Sequence, residues 1–219
     1  MFRFGRWSNA SGGTINNRRK VRSRLLGVIF SLEQAPAQPL GEVTDLQQLL
    51  REGLSVVPTL VLLGVETEFY QLANLAEQIR RAFEGVFGAR LDEDKLERAC
   101  AFAERLLRES YLLPERAEEI RAALPEGPVL VRYAGEAPFG LETGKQETLW
   151  ALKRLWASRW QVDAVLLRGP HLAPPEAASL VQVAGDELVL DESLSAQASQ
   201  ILGRSVKVWA SQGRVVRVV

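Results

Sequence analysis

The sequence predicts a single-domain α/β or α+β protein built around a mixed sheet, and three observations predict it. Apolar runs of strand length stand at 25–32, 55–64 and 128–134. Amphipathic helical periods fill the intervals, above all a helical insert over about 66–124. Beyond about residue 162 the strand signals crowd together, giving a β-rich C-terminal part. Strands interleaved with helices and then running together is the pattern of a helix-covered sheet. With 47% hydrophobic residues in 219, the chain has enough apolar side chain for a substantial core.

The elements follow in order. LLGVIFSL (25–32) is continuous and apolar, as a buried strand is. Thr44 is placed to cap a helix over 45–52, with Gln47 as its capping-box partner and Gly53 as its stop. SVVPTLVLLG (55–64) reads as a strand interrupted at Pro58. Phe69, Leu72, Leu75, Ile79, Ala82 and Val86 then recur at helical spacing up to Gly88. Asp92 opens a second helix, with Leu96, Ala99, Phe102, Ala103, Leu106 and Leu107 on one face. A third helix (113–124) has Pro114 in its first turn, where a missing N–H costs nothing.

PVLVRYA (128–134) is the next strand, followed by a loop holding Gly135, Pro138, Gly140 and Gly144. A helix from Glu147 to about Arg159 carries Leu149, Leu152, Leu155 and Trp156. VDAVLLR (162–168) reads as a strand, and two short strands flank the turn at Gly185-Asp186. A helix over 193–202 leads to a terminal hairpin turning at Gln212-Gly213.

Charge is balanced overall, 27 basic against 27 acidic residues, but unevenly placed. Arg3, Arg6, Arg18, Arg19, Lys20, Arg22 and Arg24 precede the first acidic residue, Glu33. Residues 1–24 therefore read as a polar basic tail and 25–219 as the folded domain. RRKVRSR before LLGVIFSL is faintly like a secretory signal, but the apolar run is short and meets Glu33, so a cytoplasmic protein is expected. No apolar run has the length of a transmembrane segment.

Residues able to carry chemistry are few. The single Cys100 lies on an apolar helical stripe, which suits a buried thiol and excludes an internal disulfide. His171, the only histidine, stands in a proline-rich loop beside no nucleophile motif. No phosphate-loop, dinucleotide or zinc-protease motif occurs. Asp186/Glu187 and Asp191/Glu192 are neighbouring carboxylates that suit turns and helix starts better than a metal. Trp150, Trp156 and Trp160 suit packing. The residues themselves call for no cofactor, no metal and no catalytic constellation.

Taken in order, several segments resemble the N-terminal, ATP-grasp-like nucleotide-binding domain of phosphoenolpyruvate synthase and pyruvate phosphate dikinase. LLGVIFSL followed by PLGEVTDLQQLLREGLSVVPTLVL is similar to the family's opening strand, G-G-K stretch and helix. VRYAGEAPFGLETGKQETLWALKRLWAS resembles its V-R-S-S-A loop, G-Q-Q-E-T stretch and W-A-S helix. VKVWASQGRVVRVV echoes its closing strands. The resemblance implies a nucleotide site for ATP and Mg²⁺, with Arg132 and Lys145 as its surviving nucleotide- or phosphate-binding residues.

The departures are as specific. The family's phosphate-binding lysine falls at Glu42, whose charge would repel a phosphate. The phosphate loop becomes Tyr133-Ala134-Gly135-Glu136, and the glutamate expected before Trp209 is Val208. The chain stops where the family places further Mg²⁺ and triphosphate ligands, and it lacks the phosphohistidine and pyruvate-binding domains. Three functions follow as expectations. The first is a non-catalytic pseudoenzyme that binds a protein partner or larger assembly, anchored by a tail carrying Trp7, Arg18, Arg19, Lys20, Arg22 and Arg24. The second is a nucleotide- or phosphate-ligand sensor or split kinase subunit. The third is nucleic-acid binding through residues 1–24, with Phe2, Phe4 and Trp7 stacking on bases.

Overall fold

A computed structural model of the protein describes residues 28–36, 41–173, 176–185 and 187–219. The tail over 1–24, with its expected partner-binding residues, lies outside the described residues, as do Pro174, Pro175 and Asp186. The architecture is α+β, with two antiparallel sheets.

The larger sheet has the order β1-β2-β5-β3-β4, formed by Val28–Ser31, Thr59–Leu63, Ser179–Val183, Val129–Tyr133 and Gly140–Glu142 respectively. Every pair in it is antiparallel, which corrects the mixed sheet expected from interleaved strands and helices. An antiparallel neighbour requires the intervening chain to return to the end it left. The helix α1 (Glu42–Arg51) between β1 and β2 is such a return, not a crossover. The smaller sheet, β6-β7-β8, comprises Val189–Asp191, Val208–Ser211 and Arg214–Val218. Among the described residues, parallel pairing is confined to an isolated bridge between Val56 and Val215, which links the two sheets.

Alternation along the central strands makes the larger sheet the middle layer of three. Leu60, Leu62, Val129, Val131, Tyr133 and Val181 face a cluster built with α2 (Val65–Gln71), α3 (Leu75–Ala82), α4 (Glu93–Glu109), α5 (Pro114–Ala123), α6 (Lys145–Ser158) and α7 (Val162–Arg168). Val61, Leu180 and Leu130 face the other way, toward α1, α8 (Glu192–Leu202) and the smaller sheet. Cys100 is buried in the helical layer, and burial pushes its thiol up to about 11, which keeps it protonated at neutral pH.

Local chemistry explains most boundaries. The Asp92 side chain accepts from the Lys95 N–H and starts α4, and Asp191 does the same for α8 through the Leu194 N–H. The long helical period of the insert is broken at Asn74, which adopts φ 59° and separates α2 from α3. VDAVLLR forms α7 instead of the strand expected there. A seven-residue apolar run fits either period. In the helix Val165 is fully buried while Leu167 is 90% exposed, so only one stripe needs the core. The hairpin turns at Gln212 (φ 51°) and Gly213 (φ 72°), the paired positive φ of a type I′ turn. Among the described residues no helix is long and apolar enough to cross a membrane.

Candidate functional site

Consecutive strand residues point to opposite faces, so Arg132 and Tyr133 at the end of β3 each organise a polar cluster on a different side of the sheet. The loop 134–139 that follows touches both.

On the face toward the smaller sheet, Arg132 is completely buried. Its Nε donates to Gln182 Oε1 at 2.7 Å. Its Nη1 donates to Glu42 Oε2 and to the Tyr133 carbonyl, and its Nη2 to Glu42 Oε1 and the Val216 carbonyl, both at 2.9 Å. A guanidinium has five N–H donors, and each has a partner here. Glu42 is equally engaged. Besides the bidentate arginine, it accepts from the Gly135 N–H at 2.6 Å and the Val218 N–H at 2.9 Å. Gln182 completes the network by donating to Thr59 Oγ1 and to the Val216 carbonyl.

The strands position these groups by register and by one irregularity. Thr59 lies opposite Gln182 on β2, and Leu130 lies opposite it on β3. In the smaller sheet Trp209 pairs with Arg217 and Ala210 with Val215, leaving Val216 without an opposite number. That bulge releases the Val216 carbonyl from the ladder and aims it at Arg132 and Gln182. Glu42 begins α1 three residues before the expected start. The cap is Gly41, and Thr44 lies inside the helix. Gln47, expected in a capping box, donates to the Leu32 and Ala35 carbonyls and ties the preceding turn to the helix.

On the helical face, the Tyr133 hydroxyl donates to Glu66 Oε2 at 2.9 Å. The Arg159 guanidinium lies over the Tyr133 ring at 3.6 Å, and its Nη2 reaches Glu136 at 3.5 Å. Tyr70 accepts from the Trp160 indole N–H. Arg168 donates to the carbonyls of Arg159 and Ala164. Glu66 Oε1 is closed off from solvent with no hydrogen-bond partner. Burial pushes the Glu66 carboxyl up to about 7, against the opposing pull of Arg159 and of the Tyr133 hydroxyl. Burial also pushes both tyrosines well above their ordinary range.

The structure does not gather the expected anion ligands. Lys145 is exposed at the first turn of α6, whereas Arg132 offers no exposed atom. Val208 is fully buried in the core of the smaller sheet. His171 is exposed in its loop. Trp156 and Trp160 are buried, as packing residues are, while Trp150 is 49% exposed with Lys153 over its ring. Among the described residues no three His, Cys, Asp or Glu side chains are grouped as metal ligands. Gln182 had a signal in the sequence, a polar residue inside an apolar strand. Glu66 and Arg159 had none, since each looks like an ordinary helix charge.

Compared with known proteins, the chain matches no family model, and no curated protein is significantly similar to it in sequence.

Proposed function

We propose that this chain is a non-catalytic subunit that acts through protein interaction, assembly or regulation, derived from a nucleotide-binding domain of the phosphoenolpyruvate synthase and pyruvate phosphate dikinase type. The observation that carries this reading is the bidentate Arg132–Glu42 pair. The arginine that the resemblance assigns to phosphate has all five donors engaged inside the chain, and a carboxylate supplied by α1 takes the place an external anion would fill. An incoming phosphate would have to expel a buried, hydrogen-bonded carboxylate from the fold. Lys145 is exposed at the first turn of α6 while Arg132 offers no exposed atom, so the two cations make no shared anion site. In this reading the ATP-grasp-like layers persist as a scaffold, in the cytoplasm, and the basic tail with Trp7 anchors the partner.

Calorimetry with Mg-ATP, Mg-ADP and AMP tests it: the expected result is no saturable heat and no thermal shift. Saturable Mg-ATP binding would overturn the reading in favour of a nucleotide sensor. Affinity purification of the full chain and of residues 25–219 tests the anchoring role. A stoichiometric protein partner should be retained by the first and lost from the second.

A further inference from the structure

Alternation along the strands of the smaller sheet sends its side chains to two sides. Val208, Val215 and Val218 are buried on the side of α1 and α8. The other side is turned outward. Leu190 on β6 lies opposite Trp209 on β7, and Trp209 opposite Arg217 on β8, so the three form one row across it. Lys207, two positions before Trp209, shares its side and is joined to Val219 by two backbone hydrogen bonds. Arg214 lies opposite Ser211, toward the hairpin end of the same side. Leu190 is 45% exposed, Trp209 36% and Val219 55%. Lys207 and Arg214 are exposed, and Arg217 is half-buried with its Nη2 donating to the Gly135 carbonyl.

No acidic side chain offsets these cations. Among the described residues of the three strands the single carboxylate is Asp191, which lies opposite Val208 on the covered side and caps α8. Residues 25–219 hold more acidic than basic side chains, so a face without carboxylates runs against the trend of the chain.

We propose that this outward face docks an acidic amphipathic helix of a partner protein, an inference that rests on the reading of the chain as an interaction subunit and names one of its surfaces. Neighbouring strands stand about 4.8 Å apart, so three of them span about 10 Å, the width of one helix. The apolar stripe of the helix covers Leu190, Trp209 and Val219, and its carboxylates meet Lys207, Arg214 and Arg217. Other occupants fit less well. A second copy offering the same face brings like cations together. The chain's own tail, seven cations and no carboxylate, has the wrong charge. Single-stranded nucleic acid is held by successive bases stacked on aromatic rings, and among the described residues of this face Trp209 alone supplies a ring.

Fluorescence anisotropy with the full chain tests the docking. The probe is a labelled helical peptide about five turns long, with leucines at helical spacing and glutamates and alanines elsewhere. A scrambled peptide of the same composition carries the charge without the stripe and reports what the basic tail holds by charge alone. The striped peptide should bind saturably, at least about tenfold more tightly than the scrambled one, and Trp209→Ala should remove that difference. Leu190→Glu, on the edge strand, and the exposed pair Lys207→Glu with Arg214→Glu should each weaken it about tenfold while leaving the urea midpoint near that of the wild type. No saturable binding, or equal binding of the two peptides, overturns the proposal, as does wild-type affinity in both Trp209→Ala and Leu190→Glu. So does an oligothymidylate that binds more tightly than the peptide and is lost in Trp209→Ala, or a dimer in sedimentation that Leu190→Glu dissolves. Saturable Mg-ATP binding in the calorimetry strikes the subunit reading, whereas failure of the peptide with silent calorimetry strikes the face alone.

Discussion

A buried guanidinium is tolerated only where every donor finds an acceptor, and Arg132 meets that condition with groups from four separate segments. Removing one partner strands the other without water. Glu42→Ala and Arg132→Met should therefore each cost about 3–5 kcal/mol, while the double variant costs clearly less than their sum. Urea denaturation of the four proteins in a double-mutant cycle measures this, and additive losses would show that the pair is not coupled. Glu66 behaves in the opposite sense. Its folded-state carboxyl holds a proton up to about 7, against 4.5 ordinarily, so the fold loses stability as pH rises between those values. Glu66→Gln removes that loss. It should raise stability at pH about 8 by on the order of 2–3 kcal/mol and flatten the slope between the two values. Both Arg132 and Glu42 stand out in the sequence, one as a phosphate ligand and the other as a charge that repels phosphate. Their mutual pairing was hidden because they lie 90 positions apart and only the fold brings them together.

Among the elements, those with strong local signals were legible. Asp92 capping α4, Pro114 opening α5 and the Gln212-Gly213 hairpin all follow from rules that operate within a few residues. Asp92→Ala should accordingly cost about 1 kcal/mol in thermal denaturation. Gln212→Asn should add up to about 0.5 kcal/mol, since asparagine tolerates the left-handed conformation that glutamine is forced into there. The misread elements are those decided from outside. The start of α1 is drawn back to Glu42 by its distant partners. Helix α7 takes its form because one stripe of VDAVLLR, centred on Val165, finds the helical core. The three-residue β4 is paired by β3 despite glycine at its first position. No pattern within these segments carries that information.

Across the whole molecule, the α+β class was legible from the spacing of apolar runs, but strand order and direction were not, because periodicity says nothing about which strands become neighbours. The Arg132 network stitches the larger sheet to α1 and the smaller sheet. Unfolding should then be a single cooperative event, with far- and near-ultraviolet circular dichroism giving coincident urea transitions. Two separated transitions would show that the smaller sheet melts alone.

The bulge at Val216 also bears on how the protein is made. Glu42 accepts from Val218 across 176 positions of chain, and Arg132 leans on a carbonyl 84 positions further along. A ribosome that has delivered β1, α1 and β3 has produced a cation bound for the interior while two of its acceptors, Gln182 and the Val216 carbonyl, do not yet exist. Such long-range closure is slow to form. The network around Arg132 and Glu42 cannot close until residue 218 leaves the exit tunnel, so the final packing of the larger sheet waits for the last strand of the smaller one.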